Sequence, residues 1–200
     1  MMTPLQLDIL RELINIGIGQ AAGVLNQMTR THIRLSVPEL LILTPETVPV
    51  HCLLADVSQL VSAIELPFQG PFTGMAVLAF PIASAGRLVS IVVGEESPSG
   101  VDMDSLRLAT LQEIGNIVLN GVMGSLGNIL GHHLDYLPVE YFEDSFEHLI
   151  QSIHADQTMV LFIRAHFDLE GGTIGGDILI FFRLGSFDIL VRSIESMAGN

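Results

Sequence analysis

Asp8, Glu12 and Asn15 follow one another at helical spacing near the N-terminus, and Glu113 and Asn116 repeat the Glu–Asn part of that spacing. None of these groups is a strong nucleophile. A carboxamide can both donate to and accept from an attacking water, as a glutamine does in GTP hydrolysis. A carboxylate can bind a partner's cation and fix its register. Such a pair suits hydrolysis of an already labile phosphoryl group, with the metal and the cationic residue supplied by the partner. The competing reading is a plain solvated helix face. Asparagine is a mediocre helix former, so its placement twice beside the same acid, at the same spacing, weighs toward a used surface.

Two long helices must carry these residues, at about Pro4–Thr29 and Asp104–Leu130. Thr3 is a good N-cap and Pro4 suits a first helical turn. At about 100° per residue, Asp8, Glu12, Asn15 and Gly19 share one side of the first helix. Leu10, Leu13, Gly17, Ala21, Val24 and Met28 gather on the other. In the second helix Ala109, Glu113, Asn116 and Asn120 form one line, opposite Leu111, Ile114, Val118, Val122 and Ile129. Gly19 clears the surface one turn beyond Asn15, which would let another protein approach closely.

The resemblance between the helices extends down the chain. Leu10–Ile16 matches Leu111–Ile117 at an offset of 101, Pro38 matches Pro138 at 100, and Gly74–Phe80 matches Gly176–Phe182 at 102. Each half reads as a long helix, a strand (about His32–Leu43 and Leu134–Tyr141), a hairpin and a closing helix. The hairpins are Leu60–Leu66 with Gly74–Phe80, and Met159–Phe167 with Gly176–Arg183. Gly70-Pro71 and Gly171-Gly172 supply turn chemistry. The closing helices fall at about Ala83–Val93 and Ser186–Met197, and Glu143–Ile153 reads as a short amphipathic helix. The expected fold is α+β: two α-β-β-β-α repeats, 1–98 and 99–200, in a single domain. A pseudo-two-fold axis would relate them around a six-stranded sheet covered by the long helices. The stretch Gly94–Asp104 reads as the linker.

Composition narrows the function classes. The 200 residues are 49% hydrophobic and 15% charged, with a formal charge of -14. All eight basic residues are Arg, which excludes a lysine nucleophile, Schiff base or P-loop lysine from the chain. An acidic chain without a basic cluster is a poor match for nucleic acid or an anionic membrane. The lone Cys52 reads as a small core residue in a reducing compartment. The N-terminus lacks a basic region and does not read as a signal peptide. The apolar stretch from Thr73 to Gly94 contains Pro81, Arg87 and three glycines, and reads as a buried strand and helix rather than a membrane span. His132-His133 lacks metal-ligand spacing, so no metal site is expected. Ser125, His132 and Asp135 lack a nucleophile elbow, and Gly121–Gly131 reads as close helix packing.

The sequence resembles the CheC/CheX/FliY family of chemotaxis phosphatases, most closely its CheC branch. The family pattern is Asp or Ser, three residues, Glu, two residues, Asn, then Pro about 22 residues on. Asp8, Glu12, Asn15 and Pro38 fit it with 22 residues between Asn and Pro, and Glu113, Asn116 and Pro138 with 21. Asn15-Ile16-Gly17 and Gly115-Asn116-Ile117 also resemble the family's Gly-Asn-Ile-Gly run. The resemblance implies two active sites, Glu12/Asn15 and Glu113/Asn116. Each Asn would orient the water that attacks the aspartyl phosphate of the response regulator CheY, and each Glu would pair with a lysine of that regulator. Mg²⁺ would belong to the regulator, with no cofactor held by this chain. Asp8, Pro38 and Pro138 would act through structure and docking. The alternative is a non-catalytic adaptor for phosphorylated receivers or for the receptor deamidase CheD. Ala109 stands where the second copy should hold Asp or Ser, so the first site is expected to be the stronger. Ile14 replaces the usual Gly before Asn15, in a position expected near the core edge. The doubled motif favours CheC over single-site, dimeric CheX, and the lack of a flagellar-switch module after Asn200 speaks against FliY. The chain is expected to be cytoplasmic and monomeric.

Overall fold

The structure, a computed structural model, describes residues 2–29, 32–44, 47–48, 59–93, 103–152, 159–169, 172–183 and 185–198. The linker, Cys52 and Gly171 lie outside the described residues, apart from the linker's last two positions. The order of elements is α1 (Pro4–Met28), β1 (Arg34–Leu43), β2 (Leu60–Gln69), β3 (Gly74–Pro81) and α2 (Ile82–Val93). There follow α3 (Met103–Ile129), β4 (Asp135–Tyr136), β5 (Glu140–Ser145), α4 (Phe146–Ser152), β6 (Met159–Leu169), β7 (Gly172–Phe182) and α5 (Ser186–Ala198).

One antiparallel sheet joins all the strands in the order β1-β6-β7-β3-β2-β4, with β5 also on β2. The order reads alike from both edges when β1 is matched with β5, β2 with β6 and β3 with β7. Among the described residues the sheet has seven strands rather than the expected six. The strand expected at 134–141 is divided around Pro138, and both pieces pair with β2. β5 then continues to Ser145, so the following helix begins at Phe146 and not at Glu143. The ladder from Leu60↔Ser145 to Glu65↔Glu140 holds these residues extended, a tertiary pairing that overrides the helical periodicity of the segment.

Strand alternation buries both faces of the sheet. Ile64, Leu78, Ile163, Ile178 and Ile180 pack with α1 and α3 in one large core. Val61, Ala63, Val77, Leu179 and Phe181 form the second face, covered by Val48 and by Phe146 and Leu149 of α4. Each of these two side chains is buried and contributes roughly 2 kcal/mol through burial. Within the stretch from Thr73 to Gly94, residues Gly74–Val93 form β3 and α2, and no described helix is long and apolar enough to cross a membrane.

Candidate functional site on two packed helices

The entry into α1 is fixed by a capping box. The Gln6 N–H donates to Thr3 Oγ1 at 3.3 Å, and the Thr3 N–H donates to Gln6 Oε1 at 2.6 Å. Gln6 Nε2 also donates to Glu195 Oε1 of α5 at 2.8 Å, which ties the first turn to the end of the chain. At the other end Asn26 bridges to Ile33 through both amide atoms, at 2.9 and 2.6 Å, and turns the chain into β1. The phase of α1 is therefore set at both ends.

α1 and α3 cross at their backbones. A Cβ on Gly17 would lie 2.5 Å from the Gly121 carbonyl oxygen, and one on Gly121 would lie 2.7 Å from that of Gly17. Ser125 donates a buried hydrogen bond to the Leu13 carbonyl at 2.7 Å. Contacts of Leu13 with Ser125 and Gly17 with Gly121 make the helices antiparallel. Gly115 seats α3 directly on the sheet, because a Cβ there would meet Ile64 of β2 at 2.5 Å. In α1 the corresponding Ile14 is fully buried, not at the core edge. The expected apolar stripe of α1 is corrected at its end. Val24 and Met28 are 43% and 57% exposed, while Leu25 is buried. Along a straight helix the buried arc drifts relative to any fixed set of positions.

This scaffold presents Asp8, Glu12 and Asn15 on the exposed side of α1, with Glu113 exposed and Asn116 half-buried on α3. Within each pair the side chains are i, i+3 neighbours, with Cβ atoms about 5–6 Å apart. The structure does not merge the pairs into one site. From the antiparallel register, the two Asn lie about 10 Å apart along the helix axes and the two Glu about 20 Å. Asp8 has an exposed neighbour that spacing alone passes over, Arg11, whose Nη1 is 3.8 Å from Asp8 Oδ1. Its signal in the sequence is the i, i+3 separation.

The second pair has different surroundings. Beside Glu113 opens a groove of about 290 Å³ lined by Met28, Val92, Ala109 and Ile117 among others. Thus the position that departs from the motif, Ala109, forms part of an apolar wall. Asn116 is held by Asn120, whose Nδ2 donates to the Asn116 backbone oxygen at 2.8 Å and to its Oδ1 at 2.6 Å. The N-terminal part of α3 is tied to the sheet by Arg107, which reaches Glu143 of β5 at 2.9 Å and Ser62 of β2 at 3.4 Å. Tyr141 donates to Glu143 in the same cluster. Partial burial, then this bond to Glu143, push the Tyr141 phenol above its ordinary range.

The two prolines have a shared structural position. In β1 the register with β6 passes from Ser36↔His166 to Glu39↔Arg164, leaving one extra residue at Val37-Pro38. On β2 it passes from Phe68↔Tyr136 to Glu65↔Glu140, again with one extra residue, at the break holding Pro138. Both are β-bulges on edge strands, where a residue without an N–H is tolerated. Both prolines are exposed. His132 Nε2 lies 2.7 Å from Ser193 Oγ rather than near Ser125, so the serine–histidine–aspartate trio is not assembled. Among the described residues, no group of three His, Cys, Asp or Glu could hold a metal ion.

The CheC-like family model matches residues 5–42, the span from the start of α1 into β1 that holds Asp8, Glu12, Asn15 and Pro38. The chain is similar to the CheY-P phosphatase CheC of Bacillus subtilis (strain 168), 29% identical over 126 residues, or 62% of this chain and 59% of that protein. The matched stretch thus spans less than two thirds of the relative. Among solved structures, Thermotoga maritima FliY superposes with a TM-score of 0.76 at 17% identity, over 99% of this chain and 98% of that one. A CheX-CheY-BeF3-Mg+2 complex from Borrelia burgdorferi gives a TM-score of 0.52 at 19% identity, over 85% and 97%. Over residues 5–42 the chain is therefore similar in sequence to the CheC-like family, and over nearly its whole length it shares a fold with FliY and CheX.

Proposed function

We propose that the chain is a protein phosphatase that hydrolyses the aspartyl phosphate of a phosphorylated CheY-type response regulator. The observation that carries this reading is the recurrence of one Glu–Asn pair, at the same i, i+3 spacing, on the outward side of each of two helices packed against one another, with Glu12, Asn15 and Glu113 exposed and Asn116 half-buried. Glu12 and Glu113 pair with a lysine of the receiver and set its register. Asn15 and Asn116 hold a water in line with the phosphorus. The water oxygen bonds to phosphorus as the bond to the aspartyl oxygen breaks, giving inorganic phosphate and a free carboxylate. The receiver brings its own Mg²⁺ and lysine to the reaction. Asp8 and Arg11 flank the first pair as docking groups, and the prolines shape the edge strands beside the helices. The name of the Bacillus relative supports the reaction, and the CheX complex supports a receiver as the kind of partner this fold accepts. The reading places the protein in the cytoplasm as a monomer.

At a net charge of -14 the chain gains nothing from long-range attraction to an acidic receiver pocket. Recognition then rests on local Glu–Lys pairing and shape, and weakens with salt. The test is the decay of a phosphorylated receiver with and without the protein. Wild type accelerates phosphate release, while Asn15→Ala combined with Asn116→Ala abolishes the acceleration and leaves the circular dichroism spectrum intact. Wild-type rates in that double variant would refute the mechanism. The second reading is an adaptor for phosphorylated receivers or for CheD, which would use the same two ridges to bind without turnover. Binding without turnover would establish it.

A further inference from the structure

The two Glu–Asn pairs differ in one respect that neither motif position records. Asn120 lies one turn beyond Asn116, and the residue one turn beyond Asn15 is Gly19. The Asn120 amide spans two oxygens of the same residue, the Asn116 carbonyl at 2.8 Å and the Asn116 Oδ1 at 2.6 Å. A backbone carbonyl only accepts, so the Asn120 atom facing it must be the NH₂ group. That NH₂ in turn requires an oxygen from the Asn116 side chain, which fixes the otherwise ambiguous orientation of its carboxamide. The Asn116 NH₂ is the end of the carboxamide that Asn120 does not engage, and among the described residues it has no acceptor. Among the described residues the Asn15 carboxamide has no such partner, and Gly19 has no side chain to offer one.

We propose that Asn120 is a positioning residue: it pre-orients the Asn116 carboxamide as a hydrogen-bond donor to the attacking water. The two sites thereby work differently. This inference rests on the phosphatase reading above and concerns the regulation of its second site. The second site begins each turnover with its amide already locked, so ordering this side chain falls outside the chemical step. The first site must order a free side chain each time, and draws instead on Asp8 and Arg11 for docking. Immobilising one such side chain corresponds to between about two- and tenfold in rate. The effect belongs to kcat, since Asn120 reaches the substrate only through Asn116. The expectation that Asp8 makes the first site the stronger is thereby confined to KM.

The experiment isolates each site and measures receiver dephosphorylation across receiver concentration. In an Asn15→Ala background only the second site works, and Asn120→Ala should lower kcat between about two- and tenfold with KM unchanged. Asn120→Asp, which keeps the shape but replaces the donor by a repelling carboxylate, should do no better than Asn120→Ala. In an Asn116→Ala background only the first site works, and Gly19→Asn should raise kcat by a similar factor. A Cβ at Gly19 meets nothing within 4 Å, so this variant folds without rearrangement and a purely structural role for the asparagine would not produce the gain. An unchanged kcat in Asn120→Ala overturns the positioning role, as does a missing gain in Gly19→Asn at an unchanged KM; a raised KM there would report obstruction of the surface that Gly19 clears, and the Asn120→Ala result then decides. An Asn15→Ala/Asn116→Ala protein that still turns over receiver overturns the phosphatase reading itself, whatever Asn120 does.

Discussion

The crossing of α1 and α3 lends itself to a sharp mutational test, because two glycines two residues apart in α1 have opposite surroundings. At Gly17 a new Cβ would stand 2.5 Å from the Gly121 oxygen and 2.8 Å from the Val122 Cα. Both are backbone atoms of another helix and cannot rotate aside. Reaching ordinary contact requires α3 to retreat by about 0.9 Å at the crossing, enough to forfeit a quarter to a half of the dispersion energy across it. Overpacking of this kind costs about 2–3 kcal/mol. Replacing glycine by alanine within a helix returns about 1 kcal/mol. Gly17→Ala should therefore destabilise by about 1–2 kcal/mol net, lowering the melting temperature by about 2–8 °C for a chain of this size. At Gly19 the Cβ meets nothing within 4 Å. Only the propensity gain remains there, so Gly19→Ala should raise the melting temperature by about 2–4 °C. Thermal melts followed by circular dichroism measure both variants against wild type. Shifts of the same sign in the two proteins would refute the close crossing, since helix propensity alone treats them alike.

Other perturbations probe the rest of the fold. Burial, and secondarily the Glu140 carboxylate opposite, hold the Glu65 carboxyl above the ordinary range. A raised carboxyl pKa means the folded state binds the proton more tightly, so its penalty is complete above the folded pKa and disappears as pH falls below the unfolded one. Glu65→Gln should thus stabilise at pH 7 and lose that advantage near pH 4, and an equal gain at both values in denaturant titrations would contradict the cause assigned. On the other half of the sheet, Asp177 is only 4% exposed and lies 3.3 Å from Arg164, which also reaches Glu39 at 3.0 Å. Asp177→Ala should cost about 2 kcal/mol, less than a wholly orphaned buried charge because Glu39 remains. Adding Arg164→Met should recover part of the loss in a thermal melt, and a further loss in the double variant would count against a charge effect.

The helices, hairpins and closing helices were legible because their signals are local or repeated. Pro4 after Thr3, the offsets between Leu10–Ile16 and Leu111–Ile117, and the glycines at the hairpin turns all announce themselves within short windows. The start of β5 lay within the strand expected at 134–141, but its far end was not legible as a strand. Glu143-Asp144-Ser145 has no strong strand propensity, and only the ladder to β2 makes it extended. Pro138 was visible, but its effect of dividing the strand depends on Pro67 and Phe68 across the sheet. Val24 and Met28 sit on the apolar side of an ideal wheel, yet a wheel does not show where α1 parts from its neighbours to open the groove beside Glu113. The Glu and Asn positions were plain from type and spacing. The hold of Asn120 on Asn116 had an i, i+4 signal in the sequence, but the choice among rotamers that makes the bond is a property of the folded helix.

The strand order has a consequence for how the chain must come together. β1 lies on β6 and β5 lies on β2, so each half gives its opening strand to the hairpin of the other. Between the end of β1 and the start of β6 lie 115 residues, and that edge cannot zip up until the chain has been made as far as β6. Non-local pairing of this kind slows folding and welds the halves into one cooperative transition. The two Glu–Asn ridges on such a body share a single fate on melting: damage to either hairpin unseats both, and neither half could persist as a folded remnant after the other is lost.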